Sequence, residues 1–177
     1  EKPLTIVDFS HTSDSLKKSL ELCQELNFNK VGVIFGCGGD RDKTKRKQMY
    51  NIASLYSNKI IVTSDNPRTE DPEQICKDIS NDYIIDRKEA IYYGIKNIPD
   101  DWTILIAGKG HEDYQIKGKI KYKFSDKHVF KVTKKYFNKK ILIAGYGKSG
   151  KSAEKLLKNY TSKIDIYTDN REIDYNK

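Results

Sequence analysis

The sequence predicts an α/β fold with a mainly parallel sheet and helices on both faces. Two observations lead to this prediction. Short apolar stretches alternate along the chain with longer stretches whose apolar residues recur every three or four positions. Several apolar stretches also end in loops rich in glycine and polar residues, and open parallel sheets bind their ligands at such strand ends.

Predicted strands and helices follow each other in order along most of the chain. The predicted strands cover residues 4–7, 31–35, 59–63, 83–85 and 103–107. The predicted helices cover residues 15–26, 43–56, a segment opened by Asp71 and Pro72, 87–96 and 125–136, and a basic hairpin is predicted before the last of them. In the first helix, Leu16, Leu20 and Cys23 fall on one stripe, which is typical of a helix that packs on a sheet. Asp71 is expected to cap its helix, with Pro72 in the first turn.

A second, shorter unit is predicted near the end of the sequence. Residues 138–140 have the composition of a linker, and they precede a strand at 141–144, a helix to about residue 160 and a strand at 164–167. One strand–helix–strand unit is too small to cover both faces of its strands. We therefore predict two domains, a Rossmann-like domain at 1–137 and a truncated βαβ unit of a second Rossmann-like domain at 138–177.

Composition favours a cytoplasmic globular protein. Of the 177 residues, 37% are hydrophobic and 33% are charged, and no apolar run approaches the ~20 residues of a membrane span. The three cysteines are widely spaced, so reduced thiols are expected rather than a disulfide framework or a zinc site. The sequence begins without methionine or a signal-peptide pattern, and we interpret this start as an internal position of a longer protein.

The net charge of +8 is concentrated in residues 101–177. A basic half is one feature of nucleic-acid-binding proteins. Here, however, Lys117, Lys119, Lys121 and Lys123 alternate with other residues, and a period of two would put all four on one face of a strand. We interpret them as lysines that keep a half-buried edge strand soluble. Neither a membrane nor a nucleic acid is therefore an expected partner.

Four loops at predicted strand ends carry the candidate site, and they are residues 8–11, 36–42, 65–68 and 108–113. They should converge, because the carboxyl ends of parallel strands meet at one edge of the sheet. Arg41 and Arg68 each place a guanidinium group on a turn, a group that suits a carboxylate or a phosphate. Either arginine alone would be interpreted as a surface residue, and Asp8 and His11 as part of a helix cap.

The loop sequences together resemble one family. Residues 7–12 (VDFSHT), 35–43 (FGCGGDRDK), 63–68 (TSDNPR) and 107–115 (AGKGHEDYQ) match, in order, motifs of the C-terminal domain of the Mur ligases. The likeness is to those Mur ligases that add a diamino acid to a precursor of bacterial peptidoglycan. It covers about residues 1–137, and it departs from the usual pattern only at Phe9, Ser10 and Ser13.

The resemblance implies a function for the candidate site. ATP would phosphorylate the glutamate carboxylate of UDP-MurNAc-L-Ala-D-Glu, and the amine of meso-diaminopimelate would attack the resulting acyl phosphate. Asp8 and His11 would lie near the nucleotide. The groups that bind the phosphates of ATP and the Mg²⁺ ligands would belong to a central domain. We therefore expect no catalytic residue in this chain and no activity of the chain alone. The residues implied to bind meso-diaminopimelate are Arg41, Asp65, Asn66, Pro67, Arg68, Gly108 and Glu112.

Residues 145–152 (GYGKSGKS) satisfy two motifs, the phosphate loop G-x-x-x-x-G-K-S and the dinucleotide fingerprint G-x-G-x-x-G. Residues 141–150 and 168–171 resemble the N-terminal, UDP-binding domain of the D-glutamate-adding Mur ligase, which would make the chain part of two fused ligases. Lys151 is unusual in that domain, and a non-catalytic nucleotide- or nucleic-acid-binding module remains the alternative. The residues implied to bind UDP are Gly145, Gly147, Ser149, Gly150, Asp169, Asn170 and Arg171.

Overall fold

A five-stranded parallel sheet forms the larger part of the computed structural model, which describes residues 4–26, 30–136, 139, 141–144, 147–158 and 163–167. Its strands lie in the order β1-β5-β2-β3-β4, and every pairing is parallel. They are β1 (Leu4–Asp8), β2 (Val31–Phe35), β3 (Lys59–Thr63), β4 (Tyr83–Ile84) and β5 (Thr103–Ala107). The predicted α/β class with a mainly parallel sheet is confirmed.

Helices cover both faces of this sheet, as predicted. They are α1 (Ser13–Leu26), α2 (Thr44–Tyr56), α3 (Pro72–Ile79), α4 (Arg87–Asn97) and α5 (Asp126–Tyr136). One apolar core joins α1, α2 and α3 to strand residues such as Val33 and Leu105. A second core joins α4 and the start of α5 to the alternate strand residues, such as Ile34 and Ile104. Side chains of a strand point alternately to its two faces, so both cores use the same strands.

The predicted helix cap at Asp71 is confirmed. The carboxylate of Asp71 accepts a hydrogen bond from the backbone N–H of Glu73 at 3.1 Å, and Pro72 occupies the first helical position. Pro72 has no N–H that needs a partner there, and Asp71 satisfies one of the free N–H groups of the first turn. These two residues fix where α3 begins, directly after the loop at 65–68.

The basic segment after β5 is a hairpin of β6 (Tyr114–Lys117) and β7 (Ile120–Lys123). The expectation that its four lysines share one strand face is wrong. Gly118, at a φ of 61°, turns the chain, so that Lys119 lies in the turn. Because Lys121 pairs with Ile116 whereas Lys117 pairs with Ile120, the lysines of the two strands lie on opposite faces. All of β7 is exposed, including Ile120 and Tyr122, so the strand is not half-buried.

The shorter unit contains β8 (Ile141–Ala144), α6 (Lys148–Leu157) and β9 (Ile164–Tyr167). Its two strands are parallel, and this confirms the predicted strand–helix–strand unit. Contacts divide the chain into Glu1–Lys131 and Val132–Lys177, whereas the sequence-based boundary lies between residues 137 and 138. No helix among the described residues is long and apolar enough to cross a membrane.

Candidate functional site

A cleft of about 390 Å³ opens where β1, β5, β2 and β3 end. The loops that follow these strands line it, and this confirms the predicted convergence. The predicted site residues that line the cleft are His11, Arg41, Asp65, Asn66, Arg68, Gly108 and Glu112. Pro67 borders a neighbouring cavity instead. The structure confirms that these residues lie at the carboxyl edge of the sheet. Their roles in binding stay predictions.

Hydrogen bonds join the loop at 36–42 to the loop at 65–68. Gly39 donates its N–H to the carbonyl of Asn66 at 2.9 Å, and Arg68 donates Nη1 to the carbonyl of Gly39 at 2.8 Å. Gly39 approaches so closely that a Cβ at this position would lie 1.9 Å from the carbonyl oxygen of Pro67. Only glycine permits this contact, so Gly39 sets the distance between the loops.

Substituting Gly39 with alanine should force these loops apart. The added methyl group overlaps a backbone atom rather than a flexible side chain, and overpacking of this kind costs about 1–3 kcal/mol. We expect Gly39→Ala to lower the free energy of unfolding by that amount in urea denaturation. It should also shift the amide NMR signals of Asn66 and Arg68. An unchanged unfolding midpoint with unchanged signals would mean that the loops are not in contact in solution.

Arg68 has an unusual backbone conformation. Its φ is 53°, in the left-handed region that residues other than glycine seldom occupy. The hairpin holds it there, because Arg68 donates its N–H to Ile116 at 3.1 Å and accepts from the N–H of Gly118 at 2.6 Å. Strained conformations of this kind persist where the surrounding structure fixes them, often at binding sites. The guanidinium of Arg68 is thus positioned before any ligand arrives.

Arg41 lines the cleft on the loop that follows β2. It is exposed, and Nη1 donates to the carbonyl of Asp40 at 3.3 Å. The carboxylate of Asp40 is itself occupied, because it accepts from Thr69 Oγ1 at 2.7 Å. That hydrogen bond is the main reason that the pKa of Asp40 lies below its ordinary value. Arg41 is therefore placed to meet an anion in the cleft.

The acidic part of the cleft contains Glu112, Asn66 and Asp65. Asn66 donates Nδ2 to Glu112 Oε2 at 3.2 Å, and Asn66 Oδ1 accepts from the N–H of Ile116 at 2.9 Å. Glu112 Oε1 accepts from the hydroxyl of Tyr114 at 3.4 Å. These contacts fix the orientation of the Asn66 amide and of the Glu112 carboxylate. A carboxylate held in this way is suited to an ammonium group.

Asp8 and His11 occupy different positions relative to the cleft. His11 is exposed at the cleft, and Nδ1 lies 2.9 Å from the carbonyl of Phe9. Asp8 is absent from the cleft lining, and its carboxylate accepts hydrogen bonds from Ser10 and from Ser19. Partial burial alone would raise the pKa of Asp8, but these hydrogen bonds outweigh burial and lower it. The helix cap proposed for this loop is formed by Thr12, whose Oγ1 accepts from the N–H of Ser15 at 3.2 Å.

Cys37 contributes an apolar wall to the cleft. Burial raises the pKa of its thiol to about 12, and it raises the pKa of Cys23 and Cys76 to about 11. A thiol with such a pKa is protonated at neutral pH and is a poor nucleophile. All three cysteines are free and buried, so the chemistry of the cleft rests on its charged groups.

Residues 1–110 match the sequence profile described as Mur ligase, glutamate ligase domain. The chain belongs to the Mur ligase family. It is 48% identical over 132 residues to the UDP-N-acetylmuramoyl-L-alanyl-D-glutamate–2,6-diaminopimelate ligase of Rickettsia bellii, covering 70% of this chain and 28% of that protein. The ligase of the same name from Clostridioides difficile is 47% identical over 133 residues, with the same two shares.

A solved structure of a ligase with this name has the same Mur ligase fold. It superposes with a TM-score of 0.71 at 38% sequence identity, covering 75% of this chain and 29% of that chain. The chain thus spans about 28% of the length of the curated relatives it matches. None of the matches described here supports the alternative of a nucleotide- or nucleic-acid-binding module.

Mur ligases depend in general on ATP and Mg²⁺. In the part of this chain that the structure describes, no three His, Cys, Asp or Glu side chains come together as a metal site. Mg²⁺ in ATP-dependent enzymes is usually bound by one or two carboxylates together with the phosphates of the nucleotide. The cleft of this Mur ligase domain is lined by charged groups of both signs.

Buried ion pairs support the Mur ligase cleft, and the sequence did not reveal them. Arg46 on α2 is 1% exposed and donates to both oxygens of Glu70 at 2.8 and 2.9 Å and to Asp78 at 2.7 Å. Glu70 also accepts from the N–H of Asp40 at 2.6 Å, so the pair supports the loop at 36–42. Arg87 forms a second buried pair with Asp126. The partners lie 24 to 39 residues apart, and no local pattern joins them.

The residues predicted to bind UDP are only partly described. Gly147 caps α6, Ser149 is exposed in its first turn, and Gly150 is buried. Gly145, Asp169, Asn170 and Arg171 lie outside the described residues. The Mur ligase profile ends at residue 110, so it does not bear on this second unit. Lys151 is exposed on α6.

Proposed function

We propose that residues 1–137 bind the incoming amino acid in an ATP-dependent ligase that adds meso-diaminopimelate to UDP-MurNAc-L-Ala-D-Glu. The observation that carries this proposal is a single cleft lined both by guanidinium groups, from Arg41 and Arg68, and by carboxylates, from Asp65 and Glu112. meso-Diaminopimelate carries two carboxylates and two ammonium groups, and it needs partners of both charges. The relatives with up to 52% identity to this chain are named as ligases for this substrate.

In the proposed reaction, ATP transfers its terminal phosphoryl group to the glutamate carboxylate of the dipeptide precursor and leaves as ADP. One amine of meso-diaminopimelate then loses a proton and attacks the acyl phosphate, and inorganic phosphate leaves as the peptide bond forms. This chain would orient that amine rather than activate the phosphate. Holding the amine in place lowers the free-energy barrier of the attack, because the entropy cost of bringing the two reactants together is met when the amino acid binds and not in the chemical step.

The two ends of the amino acid would meet different groups. Arg68 would bind the carboxylate of the distal centre as a bidentate pair, with Asn66 and Pro67 shaping the turn that presents it. Arg41 would bind the other carboxylate. The carbonyl of Gly108 and the carboxylates of Asp65 and Glu112 would accept from the distal ammonium group. The cleft volume of about 390 Å³ lies within the range of ~300–1,000 Å³ that small-molecule sites occupy.

The remaining assignments are part of the same proposal. Asp8 and His11 would lie near ATP, whose phosphates and Mg²⁺ would be bound mainly by a central domain. Gly145, Gly147, Ser149, Gly150, Asp169, Asn170 and Arg171 would bind UDP in the N-terminal domain of a D-glutamate-adding ligase. The matched relatives are UDP-N-acetylmuramoyl-L-alanyl-D-glutamate–2,6-diaminopimelate ligases by name, and a cytoplasmic location would give this chain access to such a nucleotide-linked substrate.

Titration of the ¹⁵N-labelled chain with meso-diaminopimelate tests the proposal. We expect saturable shifts of amide signals from Gly38, Asn66 and Gly108, which line the cleft. L-Lysine, which lacks the distal carboxylate, and pimelate, which lacks both amines, should bind more weakly. Shifts spread over the exposed lysines of the hairpin instead of the cleft, or equal affinity for all three compounds, would contradict the proposal.

A further inference from the structure

Lys109 is a buried charged residue, 0% exposed, that contacts the cleft residues Asp65, Asn66 and Glu112. It follows β5 in the loop at 108–113. Nζ donates to Asn66 Oδ1 at 2.9 Å and to the carbonyl of Tyr114 at 2.8 Å. It also lies 3.3 Å from Asp65 Oδ1 and 3.3 Å from Glu112 Oε2. A buried ammonium is found only where partners compensate for the loss of water.

These contacts join two carboxylates that come from different loops. Asp65 follows β3 and Glu112 follows β5, and Lys109 is the cation between them. Asp65 Oδ1 is buried and, among the described residues, makes the ion pair with Lys109 without a hydrogen bond of good geometry. Lys109, Asp65 and Glu112 together carry a net charge of −1, and the charge of the nearby Arg87 is already balanced by Asp126. Such a cluster is suited to one further ammonium group.

The side-chain amide of Asn66 depends less on Lys109 for its orientation than the two carboxylates do. Asn66 Oδ1 accepts from the N–H of Ile116 at 2.9 Å as well as from Lys109. The backbone therefore fixes this amide even without the lysine. Asn66 and Tyr114 also donate to Glu112, and Arg87, which is paired with Asp126, interacts electrostatically with both carboxylates. Lys109 is the cation that lies 3.3 Å from Asp65 and 3.3 Å from Glu112, so its removal should let the two carboxylates separate.

We propose that Lys109 is a positioning residue that holds the carboxylates of Asp65 and Glu112 side by side as the acceptor for the distal ammonium group of the amino acid. The proposal rests on the proposed function, since it concerns the same cleft. Lys109 does not contact the substrate in this arrangement. Without it, two like charges in a buried setting repel each other, and the paired acceptor separates.

Affinities of the chain for meso-diaminopimelate and for pimelate, measured by calorimetry, test this role. Lys109→Met should weaken meso-diaminopimelate binding about tenfold or more, the loss typical of a disrupted charged hydrogen-bond set. Pimelate has no ammonium group, so its affinity should change less than threefold. Lys30→Met is the matched control, because it removes an exposed lysine paired with Asp101 outside the cleft. It should change neither affinity.

The double variant Lys109→Met/Asp65→Asn keeps the test decisive if Lys109→Met does not fold. It removes one cation and one anion, so Glu112 remains without a repelling neighbour. When Asp65→Asn is already present, adding Lys109→Met should change the ratio of the affinity for meso-diaminopimelate to the affinity for pimelate less than threefold. Equal weakening of both compounds by Lys109→Met would show that the lysine only maintains the fold, and this would overturn the inference. An unmodified chain that does not prefer meso-diaminopimelate to pimelate would overturn the proposed function, and the inference with it.

Discussion

Under the proposed function, replacement of Arg68 by alanine should remove most of the preference for meso-diaminopimelate over L-lysine. The two amino acids share a carbon chain, and only meso-diaminopimelate has a carboxylate at the distal end. With L-lysine bound, the guanidinium of Arg68 would keep its bond to the carbonyl of Gly39 but would lack a carboxylate partner in a closed site. An unpaired polar group of this kind costs roughly 1–3 kcal/mol or more, which corresponds to a tenfold to hundredfold discrimination.

The structure strengthens this expectation, because Arg68 is fixed before the ligand binds. Its Nη1 donates to Gly39, and its backbone N–H and carbonyl are bonded to Ile116 and Gly118. A preorganised side chain loses little conformational entropy on binding, so more of its interaction energy appears as affinity. We therefore expect Arg68→Ala to act mainly on the Michaelis constant for meso-diaminopimelate.

The measurement requires a complete ligase. A hybrid in which residues 1–137 of this chain replace the matching segment of the Rickettsia bellii relative allows kcat and KM to be measured for both amino acids. Arg68→Ala should raise KM for meso-diaminopimelate about tenfold to hundredfold and leave KM for ATP unchanged. Lys119→Ala is the matched control, since it removes an exposed positive charge from the turn of the neighbouring hairpin. Equal use of both amino acids by the unmodified hybrid would contradict the assignment of Arg68.

The sheet and the convergence of its loops were predictable because both depend on local patterns. The strand at 103–107 was evident as a short apolar run, and a fully buried parallel strand requires such a run. The glycine-rich loop at 108–113 follows directly. Once the strands are known to be parallel, their ends must meet, and residues as distant in sequence as Arg41 and Glu112 fall into one cleft.

What the sequence did not reveal depends on pairings between distant residues. The basic hairpin was predicted, but the alternation of lysines at 117–123 was interpreted as one strand face. A glycine at a φ of 61° places Lys119 in the turn and puts the lysines of the two strands on opposite faces. Lys109 was evident as a polar loop residue, but its burial depends on Asn66 and Tyr114 closing over it. A lysine in a glycine-rich loop with acidic neighbours was the available signal. Burial of a charge is decided by tertiary contacts, and periodicity does not report them.

Arg87 and Asp126 form the ion pair whose disruption should cost the most stability. Both side chains are 0% exposed. Arg87 donates Nε to Asp126 Oδ1 at 2.8 Å and Nη2 to Asp126 Oδ2 at 2.7 Å. Nη2 also donates to the carbonyl of Ala107 at 2.9 Å. The pair thus joins α4 to α5 and supports the end of β5, directly before Gly108, whose φ of 121° only glycine adopts readily.

Arg87→Met should lower the free energy of unfolding by about 3–5 kcal/mol, because it leaves the carboxylate of Asp126 buried without a cation. Urea denaturation followed by fluorescence measures this change. The chain has one tryptophan, and Trp102 packs against the same core as α4, so its emission reports the unfolding of this region. Lys77→Met is the matched control. It breaks an exposed pair with Glu73 on α3, and such pairs contribute roughly 0–1 kcal/mol.

The double variant Arg87→Met/Asp126→Leu separates the cost of an unpaired charge from the value of the pair. Replacing both members of a buried ion pair with apolar side chains is often neutral or stabilising. We therefore expect the double variant to recover most of the stability that Arg87→Met loses. The carbonyl of Ala107 would still lack its donor, so the amide signals of Gly108 and Lys109 should remain shifted even when the unfolding free energy has recovered. If the double variant were as unstable as Arg87→Met, the loss would come from packing or from the missing bond to Ala107, and the buried charge would not be its cause.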